Sequence, residues 1–270
     1  MINTTFPALF VAHGAPTMVL DPGAAGAAQV RAAADLPRPR AIVVVSAHWQ
    51  SAAPTVGVAP ELDTMHDFHG FPPALYDVRY PARSDPAVAE QLRHLLRDDG
   101  FDVHVDRSRG LDHGAWTPLC LMYPAADIPL VPLSLLGDSG PEEHFRIGRA
   151  LAPLLADGVL LLASGNITHN LADWRHSPAA SGQESLYAGE FAEWMAQRIA
   201  AGDRAALVDY RRQAPHAARA HPSEEHLLPL FVALAAAGDG YRPHRLYAGI
   251  EAGVLAMDSY AFWPATGDGQ

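Results

Sequence analysis

The stretch Ala41–Ser51, AIVVVSAHWQS, decides the fold. Ala41 to Val45 are five apolar or small residues without a break. Such a β-branched run suits a strand buried on both faces, as in a parallel sheet. The run gives way at Ser46-Ala47-His48-Trp49, so the strand is expected to end there. A histidine just past the carboxyl end of a buried strand stands where open α/β sheets place their chemistry. Taken alone, His48 reads equally well as a polar strand terminus.

Two more predicted strands end the same way. Pro7–Ala12 runs straight into His13-Gly14-Ala15-Pro16, and Val159–Ala163 into Ser164-Gly165-Asn166-Ile167-Thr168-His169-Asn170. Helices alternate with these strands. Alanine content predicts one over Ala24–Ala34. Asp85 as cap and Pro86 at the first position predict another, closed near Asp99 by Gly100. Apolar residues at helical spacing predict a third over Pro141–Ala156. Glu184–Ala200, Ala205–Arg211 and the apolar Leu227–Ala237 also read as helices, the last capped by Ser223 or His221 with His226 in its first turn. Asp102–Val105, Ile128–Leu135 and Gly253–Phe262 read as strands. The alternation predicts an α/β layered fold, one domain over residues 1–270, with a central, largely parallel or mixed sheet flanked by helices.

Two polar stretches interrupt the pattern. Pro60–Pro81 is long and irregular, with His66, His69, Phe68, Phe71, Tyr76 and Tyr80. A loop of that length with that aromatic content reads as a wall over a pocket, or equally as a loop packed on the core. Gly110–Trp116, GLDHGAW, reads as a second polar loop with His113 between Asp112 and Gly114.

Composition narrows the chemistry. The 270 residues are 49% hydrophobic, enough for one large core. Net charge is −11, which argues against nucleic acid as a partner. No stretch approaches the roughly 18 apolar residues of a membrane span, and the start lacks signal-peptide features. All 19 cationic side chains are arginine, so a P-loop lysine and a lysine Schiff base are excluded. No G-x-S-x-G or G-x-G-x-x-G occurs, which leaves a hydrolase serine and a dinucleotide loop unsupported. The single Cys120, in an apolar run, reads as a core residue and forbids a multi-cysteine metal site. A cytoplasmic protein is the expectation.

Histidine stands out, with 14 in the chain. His13, His48, His113, His169 and His226 each stand beside turn-making residues or at an element end. Imidazole suits zinc and iron, and three protein ligands with an open position is the pattern of catalytic metals.

PALFVAHGAP, AIVVVSAHW, HDFHGFPPALYDVRYPA, GLDHGAW, ASGNITHNL and EEHLLPL, in this order over residues 7 to 257, resemble the class III extradiol ring-cleaving dioxygenases. Within this LigB-like family they are most similar to the 4,5-DOPA dioxygenase extradiol branch. The resemblance implies one divalent metal ion, Fe(II) or Zn(II), held by His13, His48 and His226. Many relatives have glutamate at the third position, and Glu225 adjoins His226, so either is a candidate. The resemblance implies that His113 contacts substrate or moves protons. It implies that His169 is the catalytic base and, in this branch, also a fourth metal ligand. Substrates would be a small aromatic diol and O2, with the Pro60–Pro81 loop stacking the ring and Arg79 pairing with a substrate carboxylate. Because zinc has no redox chemistry, a zinc-dependent hydrolase and a non-catalytic metal-binding protein are the other readings of the same histidines. Oligomeric state is not legible in the sequence.

Overall fold

The computed structural model describes residues 5–176 and 185–265. Eight strands form one mixed sheet. In chain order the strands of the molecule are β1 (Ala8–Ala12), β2 (Ala41–Ser51), β3 (Thr55–Gly57), β4 (Glu61–Leu62), β5 (Ala82–Arg83), β6 (His104–Asp106), β7 (Leu130–Leu136), β8 (Val159–Gly165), β9 (Arg242–Tyr247), β10 (Ile250–Glu251), β11 (Leu255–Ala256) and β12 (Ser259–Trp263). The main sheet has the order β6-β3-β7-β2-β8-β1-β12-β9; β4 pairs with β5 and β10 with β11 in two small ribbons. Its centre, β7-β2-β8-β1, is parallel. β12 runs antiparallel to both β1 and β9, and β3 antiparallel to β7.

The helices are α1 (Gly23–Asp35), α2 (Pro86–Asp98), α3 (His113–Met122), α4 (Pro141–Ala156), α5 (Leu171–His176), α6 (Leu186–Ala201), α7 (Arg204–Val208), α8 (Tyr210–Gln213), α9 (Ala217–Ala220) and α10 (Leu228–Ala236). Alternate residues of a strand face opposite sides of a sheet, and the two cores follow that rule. Phe10, Val43, Val45, Val131, Leu161 and Ala163 pack on one face with α2, α4, α6 and α10. Leu9, Val11, Ile42, Val44, Leu160 and Leu162 pack on the other with α3 and the aromatic loop.

Several expectations need correction. β2 does not stop at Ser46. It continues to Ser51 across a bulge: five steps along β2 (Val45 to Gln50) oppose two along β7 (Leu133 to Leu135). Such bulges re-aim side chains beside functional sites, and His48 sits within this one. Gly110–Trp116 is not all loop, since α3 begins at His113, capped by the Asp112 carboxylate on the Ala115 N–H. Gly114 and Pro118, both poor helix formers, hide it in the sequence. His226 lies in the turn before α10, not in its first turn, and no side chain caps that helix. Ser223 Oγ donates to Glu225, and His221 Nε2 to the Ile167 carbonyl. The Ala205–Arg211 helix is two short helices broken at Asp209, and the last strand is divided into β11 and β12. The α6 prediction held from Leu186 on, while Glu184 lies outside the described residues. β9 is an edge strand, RPHRLY, whose charges and proline hide the strand alternation in the sequence.

Candidate active site

β1 and β2 flank β8 in register, with Ala12 opposite Gly165 and Ser46 opposite Ser164. His13 and the His48 bulge therefore leave the sheet on one edge, either side of β8. The turn carrying His226 lies over the end of β8, where its carbonyl accepts the Asn166 N–H at 2.8 Å. Gly165 permits that approach, since an added Cβ would overlap the His226 carbonyl. Replacing Gly165 with Ala is expected to displace this turn and destabilise the protein by about 1–3 kcal/mol. Denaturant unfolding checks the stability, and metal titration checks the displaced turn.

The three rings meet through one kind of nitrogen. His48 Nε2 lies 3.1 Å from His13 Nε2 and 3.2 Å from His226 Nε2. His13 and His226 are buried and His48 is partly open. The outward nitrogens have partners. Ser164 Oγ donates its one proton to the Gly114 carbonyl and so accepts from His13 Nδ1 at 2.9 Å. That carbonyl is available because Pro118, four residues on, has no N–H to bond it. His226 Nδ1 donates to Glu225 Oε1 at 2.9 Å. Both Nε2 atoms are therefore bare lone pairs aimed at His48 Nε2, which carries at most one proton and satisfies only one of them. A shared cation satisfies all three. At metal–nitrogen distances of about 2.1 Å, ligands at right angles stand about 3.0 Å apart and tetrahedral ones about 3.4 Å, which brackets the observed spacings. The donor set fits a divalent ion.

Electrostatics agree. Burial first, then the neighbouring imidazoles, holds His13 and His226 well below the usual histidine range. His48 is lowered to about 4 by burial and by His113, against the carboxylates of Asp112, Asp67 and Glu225. Neutral imidazole is the ligating form.

His113 and His169 join the cluster from opposite sides. The His113 ring centroid is 3.9 Å from that of His48, and a ligating nitrogen of His113 lies within 4.8 Å of those of His13 and His48. His169 stacks on His226, with centroids 3.4 Å apart and planes 11° apart. His169 therefore lies face to face with the His226 ring. His169, Glu225 and His226 form a second group whose ligating atoms lie within 4.8 Å of one another. Burial first, then His221, lowers His169 to about 4, so it is neutral at pH 7.

The aromatic loop reaches the site through two residues. Phe68 stands edge-on to His113 at 5.8 Å, and Asp67 bonds His113. Tyr80 belongs to the core, its hydroxyl on the Tyr123 carbonyl. Arg79 donates to the carbonyls of Tyr76 and Val78 on its own loop. Sequence reasoning missed Asp67, Ser164 and Glu225 as partners of the ring nitrogens; Asp67 stands in a polar His-Asp-Phe-His run that marks no partner. Burial raises the Asp67 pKa, but hydrogen bonds and charge from His113 outweigh it and hold it at about 2.

A sequence profile for the catalytic LigB subunit of aromatic ring-opening dioxygenase matches residues 6–254. A Beta vulgaris protein named 4,5-DOPA dioxygenase extradiol is 38% identical over 265 residues, 97% of either chain. One of the same name from Escherichia coli strain K12 is 40% identical over 266 residues, covering 95% of this chain and 94% of its own. The crystal structure of an uncharacterized Escherichia coli K12 protein matches with a TM-score of 0.79 at 35% identity, covering 95% of this chain and 99% of that one. Profile, relatives and fold agree with a metal-ready histidine cluster at the sheet edge, and the chain belongs to the LigB family of extradiol, aromatic ring-opening dioxygenases.

Proposed function

We propose that the protein binds one ferrous ion through His13, His48 and His226 and cleaves a catechol ring beside its hydroxyls, with O2 as co-substrate. The observation that carries this reading is the convergence of three Nε2 atoms, with the His13 and His226 rings oriented from behind by hydrogen bonds. Outer-shell partners of this kind orient ligating histidines and raise their basicity. Ferrous iron supplies, when bound, the route by which electrons pass from the catechol to O2. His169, neutral and beside His226, accepts a hydroxyl proton from the bound diol. The stack favours this role for His169 over that of a fourth ligand. His113 holds the second hydroxyl, and Phe68 flanks the ring. DOPA is a candidate substrate because the two named relatives carry it in their names. Family membership sets aside the zinc hydrolase and the non-catalytic readings. Among the described residues no helix is long and apolar enough to cross a membrane; a cytoplasmic setting is part of the proposal.

The test is O2 consumption and formation of the yellow ring-opened product from catechols, DOPA included, by protein loaded with ferrous ion or with zinc. Turnover under iron and none under zinc is expected. Turnover with no catechol, or equal turnover under zinc, would overturn the proposal. A second measurement separates the two neighbours. Glu225→Gln is expected to keep metal with affinity weakened about 10- to 100-fold at most, because the carboxylate bonds the far side of the His226 ring. His226→Gln is expected to lose stoichiometric metal. The reverse pattern would make Glu225 the ligand.

A further inference from the structure

The aromatic loop contributes one carboxylate to the histidine cluster, and its contacts are specific. Asp67 Oδ1 accepts the backbone N–H of His113 at 2.9 Å and meets the Nδ1 of the same residue at 3.0 Å. The backbone contact satisfies a donor that the first turn of α3 leaves without an intrahelical partner. An ionised carboxylate only accepts hydrogen bonds, so the Nδ1 facing it carries the proton. A neutral imidazole with its proton on Nδ1 has a bare lone pair on Nε2. The other carboxylate oxygen, Oδ2, stands 4.0 Å from His48 Nδ1, so one side chain backs two rings of the cluster. Asp67 is also next in sequence to Phe68, which stands edge-on to His113 and tilted against Trp116. The residue that bonds His113 thus belongs to the same loop as the ring that packs against it.

We propose that Asp67 is a positioning residue which holds His113 as the Nδ1–H tautomer, so that His113 Nε2 accepts a hydrogen bond from a substrate hydroxyl. This rests on the reading above that His113 meets the substrate. It adds the direction of that contact: the diol donates and the histidine accepts. It also makes the aromatic loop part of the catalytic geometry as well as a cover over it.

The tests are Asp67→Leu, Asp67→Ala, Asp67→Asn and His113→Ala. Leucine keeps the number of side-chain heavy atoms, with more bulk, and removes the acceptor; alanine removes the acceptor without adding bulk. Asparagine loses the charge but keeps an oxygen where Oδ1 stands. In iron-loaded protein, Asp67→Leu and Asp67→Ala are expected to lower kcat about 10- to 100-fold at near-wild-type metal content, with asparagine recovering most of the loss. Nitrogen-15 spectra of the zinc-loaded protein, with His113 assigned by its absence in His113→Ala, report the tautomer directly. Nδ1–H is expected in wild type and Asp67→Asn, and a shift toward Nε2–H in Asp67→Leu and Asp67→Ala. An Nε2–H tautomer in wild type would overturn the proposal. So would Asp67→Leu and Asp67→Ala with unchanged tautomer and kcat, or an asparagine variant as slow as both. Unchanged turnover in His113→Ala would instead sink the role given to His113 itself.

Discussion

His48→Ala is expected to purify without stoichiometric metal and to fail to take it up on titration. His48 Nε2 is the atom that the other two candidate ligands share, at 3.1 and 3.2 Å. Without it two imidazoles remain, just past β1 and in the turn before α10, one short of the three protein ligands usual for a catalytic metal. The fold should survive. The ring projects from a bulge and is partly open, while the strand beneath it is held by Val43 and Val45 on one face and Val44 on the other. Metal per protein after purification without added metal, a ferrous titration and the thermal midpoint of the metal-free protein together make the measurement. Full occupancy with unchanged affinity in the folded variant would remove His48 from the ligand set.

His169→Ala is expected to keep most of its metal and lose ring cleavage. Its ring lies nearly parallel to that of His226, with centroids 3.4 Å apart, so a metal held by the three Nε2 atoms would not depend on it. Burial and His221 lower its pKa to about 4, so it is unprotonated at neutral pH and has a lone pair to offer the diol. Positioned acid–base groups contribute about 10²- to 10⁴-fold in rate, and a loss in kcat of that size is expected. The loss should narrow toward high pH, because phenolic hydroxyls ionise unaided near pH 10 (about the value for tyrosine). A structural role predicts otherwise. The His169 backbone N–H already bonds the Ala220 carbonyl, and Thr168 ties the same turn to Val254 and Ala256. Truncating the ring leaves these contacts in place, so lowered stability with wild-type activity per bound metal would show that the ring is only packing. Product formed per metal-loaded protein, for wild type and variant across pH, separates the two.

Much of the architecture was legible in the chain because its signals are local. A run such as Ala41–Val45 is read residue by residue, and Asp85-Pro86 and Gly100 bracket α2 without reference to anything distant. The five histidines were legible for the same reason, since each stands beside Gly, Asn, Trp or Glu where the local pattern of a strand or helix changes. What hid was local conflict with a tertiary solution. α3 forms across Gly114 and Pro118 because Trp116 and Leu119 bury against the sheet and Asp112 caps it. β9 forms from a charged run because β12 offers it an edge to pair with.

By itself, then, the sequence determined an α/β sheet with histidines delivered to the carboxyl edge of its parallel strands, and it excluded lysine and multi-cysteine chemistry. Only the tertiary structure decided which nitrogen of each ring faces inward. That choice rests on hydrogen bonds between residues far apart in the chain: Ser164 with His13, 151 positions away, and Asp67 with His113, 46 positions away. It also decided that His169 stacks face to face on the His226 ring, and that Glu225 stands behind that ring. The physical reason is one of range. Strand and helix signals repeat every two to four residues along the chain, whereas the tautomer and orientation of an imidazole depend on whichever donor or acceptor folding brings within about 3 Å.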